Sequence, residues 1–379
     1  MIEPRIYRAA FLPALFALVL VAFSLESPPR ALDQGPAADV LFEGTAARER
    51  VRAIVSGTPD RGVGTNGNRD VAERVEEVFE QSGFETEVDR FEEDGNDLVN
   101  VVGTRAGDST RQVVVLAARD SDRAPDAAGS AADTAALMEF ARVFEGRALG
   151  KTLVLASVDG AALGDAGARR FADEVARPDD VEAVIVVSDL GARSSRGPLL
   201  VGWSNGTTRA GLPLQRTFAE SLRQEIGAVP RQEGLLSQFA RLSFPVAPGG
   251  QGALLDEGFD AVGLAGAGET GDGGGEQVED LNVERYGALG RSVLRMIGTL
   301  ESSERELERG ERVDPGVHTG QHCEPAGRLV REGRHAVMMA EWHRSTTCGR
   351  RSAATAAAGS SPARPRPTWC RGRAATRPR

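Results

Sequence analysis

From about residue 46 the chain alternates between two hydrophobic periods. Helical spacing comes first, in the short amphipathic stretch TAARERVRAIVSG. It returns at Val71, Val75, Val78 and Phe79, one face of a helix that stops at Gly83. Strands are expected at Glu85–Phe91 and Leu98–Gly103. RQVVVLAA is then a continuous apolar run, as in a strand covered on both faces. Leu137, Phe140, Ala141 and Phe144 mark the next helix, KTLVLAS a second covered strand, GARRFADEV a helix and VEAVIVVSD a third covered strand. Leu214, Phe218 and Leu222 give a further helix, FDAVGLAG a strand and VERYGALGRSVLRMIGTL a closing helix. This order predicts an α/β fold: a mostly parallel central sheet with helices on both faces. Binding sites in such sheets form at the strand C-terminal ends, where Asp120, Asp159 and Asp189 fall.

Composition narrows the chemistry. The chain has 379 residues, 41% of them hydrophobic, enough for one large domain or two small ones. The formal net charge of −10 argues against nucleic-acid binding, which needs clustered cations. Lys151 is the only lysine. The histidines (His318, His322, His335, His343) and the cysteines (Cys323, Cys348, Cys370) all lie beyond residue 315. That distribution excludes a histidine-containing catalytic triad, a cysteine nucleophile and any histidine or cysteine zinc ligand from the rest of the chain. GLAGAGETGDGGGE is glycine-rich, but no helix opens after it and its acidic residues would repel phosphate, so it reads as a loop. Trp203 and Phe244 read as core, with a binding cleft as their other use.

Both ends differ from the middle. Arg5 and Arg8 precede an apolar run from Ala9 to Leu25, which reads as an uncleaved signal-anchor (residues 1–30) or, if cleaved, a signal peptide. A linker (31–45) and a globular body (46–300) follow. Residues 301–379 change character beyond about Arg312 and read as a basic disordered tail or an out-of-frame stretch of GC-rich DNA. The histidine and cysteine spacings there match no zinc module.

With the loops placed, the body resembles the zinc aminopeptidase family, the metallopeptidases that include aminopeptidase S, aminopeptidase Y and glutamate carboxypeptidase. DRGVGTNGNRDVAERVEEVFEQSGFETEVDRF is similar to that family's Arg-x-x-Gly-Ser opening and first helix. VVVLAARDS resembles its strand ending in His-x-Asp, and AADTAALMEFAR the helix after its Asp-rich loop. TLVLASVDGAALGDAGARRFA follows its strand and Glu-Glu loop, VIVVSDLG its ligand-aspartate strand, and GGQGALLDEGFDAV the loop that carries Ser-Asp-His. The resemblance implies a zinc-exopeptidase-like three-layer sandwich and, in active relatives, two zinc ions sharing a bridging carboxylate and a water, with a glutamate as base.

Carried over position by position, the first histidine is Ala118 and the bridging aspartate falls at Ala128 or Gly129. The base and ligand glutamates fall at Ala161 and Ala162, and the last histidine at Gln251. Asp189 remains as the ligand aspartate, and Asp120 as the residue that orients the first histidine. The resemblance thus implies a domain without catalytic residues or zinc. It would be a membrane-anchored, extracytoplasmic binding or scaffold module for a protein or peptide, as in the family's non-catalytic ectodomains. The alternative is an active metal-dependent aminopeptidase using other ligands. A carboxylate-only calcium or magnesium site from Asp120, Asp122, Asp126, Asp133, Asp159 and Asp189 matches no known spacing; solvated loop aspartates and helix caps explain those residues. A Ser–Lys dyad on Lys151 is disfavoured because the lysine starts a strand. The emptied cleft is expected either to stay concave and hold a peptide amino group against Asp120 and Asp189, or to have filled in.

Overall fold

Continuous apolar runs did become the central strands. The computed structural model describes residues 11, 13–18, 31–32, 42–121, 124, 126–193, 197–227, 247, 249–268 and 277–303. Within them the order is α1 (Gly44–Gly57), α2 (Asn66–Gln81), β1 (Glu85–Glu93), β2 (Asn96–Arg105), β3 (Ser109–Ala118), α3 (Ser130–Phe144), β4 (Lys151–Val158) and α4 (Ala166–Arg170). Then come β5 (Val181–Ser188), β6 (Leu199–Val201), α5 (Leu212–Ile226), α6 (Gln251–Asp256), β7 (Ala261–Ala265) and α7 (Val283–Ser302).

The seven strands run in the order β1-β2-β4-β3-β5-β7-β6. The inner four, β4, β3, β5 and β7, are parallel to one another; β1, β2 and β6 join antiparallel at the two sides. The sheet is therefore parallel where it is covered on both faces and antiparallel toward its edges. Side-chain alternation splits the core into two layers. Val113, Val115 and Ala117 of β3 face one layer with α1, α2, α3, α5 and α7, while Val114 and Leu116 face the other with α4 and α6.

Local chemistry sets the element ends. Thr65 caps α2 by accepting from the Asn68 N–H at 3.2 Å, and Asn282 caps α7 by accepting from Arg285 N–H at 3.0 Å. Two residues of the segment the sequence assigns to the linker already pack on the body: Leu32, whose N–H donates to Thr217 Oγ1 at 2.9 Å, and Phe42. The Phe42 ring stacks obliquely on Phe140 (5.4 Å between centroids) and edge-on against Tyr286 (5.5 Å). Lys151 is a structural cation at the start of β4, paired with buried Glu182 and donating to Leu300 O at 2.7 Å.

Of the expected signal-anchor only residues 11 and 13–18 are described; they are helical, with Phe11, Leu15, Phe16 and Leu18 exposed. Among the described residues no helix is long and apolar enough to cross a membrane. The expected tail with all histidines and cysteines, together with Asp122 and Phe244, lies outside the described residues. Trp203 packs half-buried against Leu199, Val201 and Ala265.

Candidate functional site

The parallel strands end flush. Register pairs Ala118 with Val158, Ala117 with Val187, and Ser188 with Ala265, so the loops after β3, β4 and β5 leave the sheet side by side. The family-matched positions cluster here. The Asp120 carboxylate accepts from the N–H groups of Ala161 (2.9 Å) and Ala162 (3.1 Å), which ties the loop after β3 to the loop after β4. The Gly191 N–H donates to Ala128 O at 3.1 Å, tying the loop after β5 to the start of α3. Gly250, just before Gln251, sits so close to Ala168 that an added Cβ would lie 2.7 Å from the Ala168 Cβ.

At each position that the resemblance matches to a ligand, the residue present packs or hydrogen-bonds locally. Ala118 is half-buried, and Ala161 and Ala162 offer only their N–H groups. Ala128 packs with Ala192 and Ala267 in a small apolar cluster. A Cβ on Gly191 would come within 2.8 Å of the Ala132 Cβ and 3.0 Å of both the Ala128 Cα and a Leu281 methyl, so the loop after β5 packs closely on the start of α3. A Cβ on Gly129 would collide with the Asp126 carboxylate, which occupies that space and accepts from Ser130 N–H (3.1 Å) and Oγ–H (2.8 Å). The Gln251 side chain is buried with its amide over the Cα of Gly263 on β7; a side chain on Gly263 would meet it at 2.9 Å.

The aspartates are not solvated, contrary to the sequence expectation: Asp120, Asp133 and Asp159 are all buried. Desolvation had to be compensated, and each carboxylate is committed to N–H donors. Asp133 accepts from Asp189 N–H (2.8 Å) and Leu190 N–H (2.9 Å), pinning the end of β5 to α3. Burial, then the charge of Asp189, holds the Asp133 carboxyl well above the usual carboxylate range. Asp189 itself sits at φ 52°, the left-handed region, at the turn out of β5. Asp120 is also raised, by burial first, with Asp159 adding repulsion and the Ala161 and Ala162 N–H groups opposing it. Asp165 is pushed up to about 6 by burial and by Asp120, against the pull of Arg169.

A network that sequence reasoning missed supports this end. Arg119 is fully buried. Its guanidinium donates to Asn68 Oδ1 (2.9 Å), Ser157 Oγ (3.1 Å) and Val99 O (2.6 Å) and lies 3.5 Å from Asp159. Asp159 also accepts from the Asn68 amide (2.7 Å), Gly160 N–H (2.7 Å) and Val99 N–H (3.2 Å). The available signal was a lone arginine between apolar Ala118 and Asp120, where a covered strand would not tolerate an unpaired charge. Arg61 of the Arg-x-x-Gly stretch is buried as well, donating to Thr58 O at 2.9 Å, and its own carbonyl accepts from Ser121 N–H at 3.0 Å.

These residues do not fit a zinc pair. Zinc sites draw on imidazole, thiolate and carboxylate donors. Here the matched positions carry alanine, glycine and one glutamine, while Asp120, Asp126 and Asp133 spend their oxygens on N–H and O–H donors. Among the described residues no group of three or more histidines, cysteines, aspartates or glutamates is placed to hold a metal ion.

No protein-family model and no curated protein matches the chain. Solved structures do. BSAP, a zinc aminopeptidase from Bacillus subtilis, superposes with a TM-score of 0.55 at 11% identity, over 68% of this chain and 95% of that one. Glutaminyl cyclase from Fimbriiglobus ruber gives 0.52 at 13% identity over 72% and 99%. Glutaminyl cyclase from Porphyromonas gingivalis gives 0.51 at 14% identity over 69% and 99%. At such identities the likeness is one of fold: the chain is a three-layer α/β sandwich of the zinc-exopeptidase type shared by zinc aminopeptidases and glutaminyl cyclases.

Proposed function

We propose that this is a non-catalytic domain of the zinc-exopeptidase fold, exported and held at a membrane by its N-terminal segment, that serves as a binding or scaffold module for a protein or peptide. One observation carries the reading. At the positions matched to the bridging carboxylate, Ala128 packs with Ala192 and Ala267, and an aspartate at 129 would have to displace the like-charged Asp126 carboxylate from its hydrogen bonds to Ser130. Electrostatics agree. Without a metal cation, carboxylates brought to one strand end repel one another and gain protons at a cost in stability. This chain ties Asp120 and Asp133 to backbone N–H groups and places the guanidinium of Arg119 beside Asp159 as an internal cation, while Asp120, Asp133 and Asp165 are still held above the usual carboxylate range.

A free peptide amino group finds less at this end than the sequence suggested, because both Asp120 oxygens already hold backbone N–H groups. Partner binding therefore falls to the outer surfaces of the loops rather than to a deep specificity pocket. Exposed Phe11, Leu15, Phe16 and Leu18 support attachment to a membrane by the N-terminal segment.

Two assays on the full chain test the proposal. With added zinc, neither aminoacyl-anilide hydrolysis nor cyclisation of N-terminal glutamine should exceed a heat-inactivated control; turnover abolished by Asp189→Ala would overturn the non-catalytic reading. On fractionation the chain should remain with membranes through a carbonate wash, and recovery in the soluble fraction would contradict anchoring.

A further inference from the structure

Away from the altered metal positions, at the β1 side of the sheet, a cavity of about 440 Å³ is lined by α2 and by both strands of the β1–β2 hairpin. Its volume lies within the few-hundred Å³ range typical of small-molecule sites. On the sheet face that α2 covers the floor is apolar: Ala72, Val99 and Val101 are buried and Val88 is half-buried, while Leu98 and Phe91, paired across the hairpin, alternate to the opposite face, where Arg170 lies over the Phe91 ring. That floor is also fixed, because the backbone of Val99 is gripped on one side by Arg119 and on the other by Asp159.

Charge on the rim is unbalanced. Asp97 is matched by Arg69, at 3.7 Å, and Arg69 also donates to Asn66 Oδ1 at 3.0 Å. That leaves Glu73, Glu76 and Glu92 against Arg90. Among the described residues none of these three carboxylates makes a hydrogen bond or ion pair. An apolar recess with surplus carboxylate around its mouth complements an apolar body that carries one positive charge. It opposes an organic acid, which would meet three like charges before one arginine.

We propose that this cavity is a ligand site for a small primary amine with an aromatic or branched aliphatic body, the hydrocarbon seated on Val88, Val99 and Val101 and the ammonium turned toward Glu73 and Glu76. The site is independent of the zinc-exopeptidase machinery, being built from α2 and the hairpin rather than from the strand C-terminal ends.

The experiment is a calorimetric titration of the full chain at neutral pH and low salt with three probes of one shape: phenethylamine, 2-phenylethanol and 3-phenylpropionate. The amine should bind, the alcohol should bind about five- to tenfold more weakly, and the acid should show no saturation. The double variant Glu73→Gln with Glu76→Gln, which changes exposed or half-buried helix positions without altering helix propensity much, should bring the amine down to the affinity of the alcohol. Ala72→Leu, which fills the recess, should abolish binding of all three while the circular dichroism spectrum stays that of the parent. Equal affinity for amine and acid, no amine binding at all, or amine binding untouched by both variants would each overturn the assignment.

Discussion

Arg119 and Asp159 show how a buried charge pair can hold the strand ends together. Two charges are expensive to bury, and a pair survives only when its remaining donors and acceptors are met. Here Asn68, Ser157, Val99 and Gly160 meet them. Asp165 is the opposite case, a carboxyl with its nearest carboxylate neighbour at Asp120 and only a partial counter-charge from Arg169. Its folded-state value of about 6 lies above the ordinary 3.8, so the folded state favours the proton more than the unfolded state does. The stability this gives is fully present below about pH 4 and is lost as pH rises through about 6. Asp165→Asn should therefore be more stable than the parent above pH 6, by about 1 to 2 kcal/mol once the partial exposure of the side chain is allowed for, and the gap should close toward pH 4. Asparagine also tolerates the φ of 60° at this position. Thermal melts across this pH range check it; a gap that widens toward acid would contradict the assignment.

At the scale of elements, the strands and helices keep the fold while the positions matched to metal ligands lie in or beside the loops. Gly191 matters for space rather than for backbone freedom, since its φ is not positive and its neighbours Ala128, Ala132 and Leu281 are what crowd it. Gly191→Ala should cost about 1 to 3 kcal/mol through overpacking. Chemical denaturation reads this directly, and an unchanged midpoint would mean that the loops after β3 and β5 are not packed as described. Elements were legible in the sequence because their periods are clean: the covered strands around Val114, Leu155 and Ile185, and the helix faces at Val71, Val75 and Phe79, are all in place. Two short pieces were not legible. β6 has three residues and pairs only with β7, and α6 has six residues, too few in each case for a period to show.

For the whole molecule, the sheet was expected to be mostly parallel, and that description fits its centre. The antiparallel pairing of β1 with β2 follows from a connection too short to cross over: Asp94 and Gly95, both at positive φ, form a hairpin turn between them. The residues matched to the family's metal positions are named by the sequence, and their packing is not. That Asp126 swings into the space beside Gly129, that Asp133 binds the end of β5, or that Arg119 turns inward depends on long-range hydrogen bonds that leave no period in the sequence. Central to the account is that this end of the sheet no longer forms a metal site. The direct measurement is the zinc content of the full chain by mass spectrometry after incubation with zinc and exhaustive dialysis, with the histidines and cysteines beyond residue 315 replaced by alanine so that they contribute nothing. Zinc far below one ion per chain is the predicted result. One or two ions retained per chain, and released on Asp189→Ala, would contradict it.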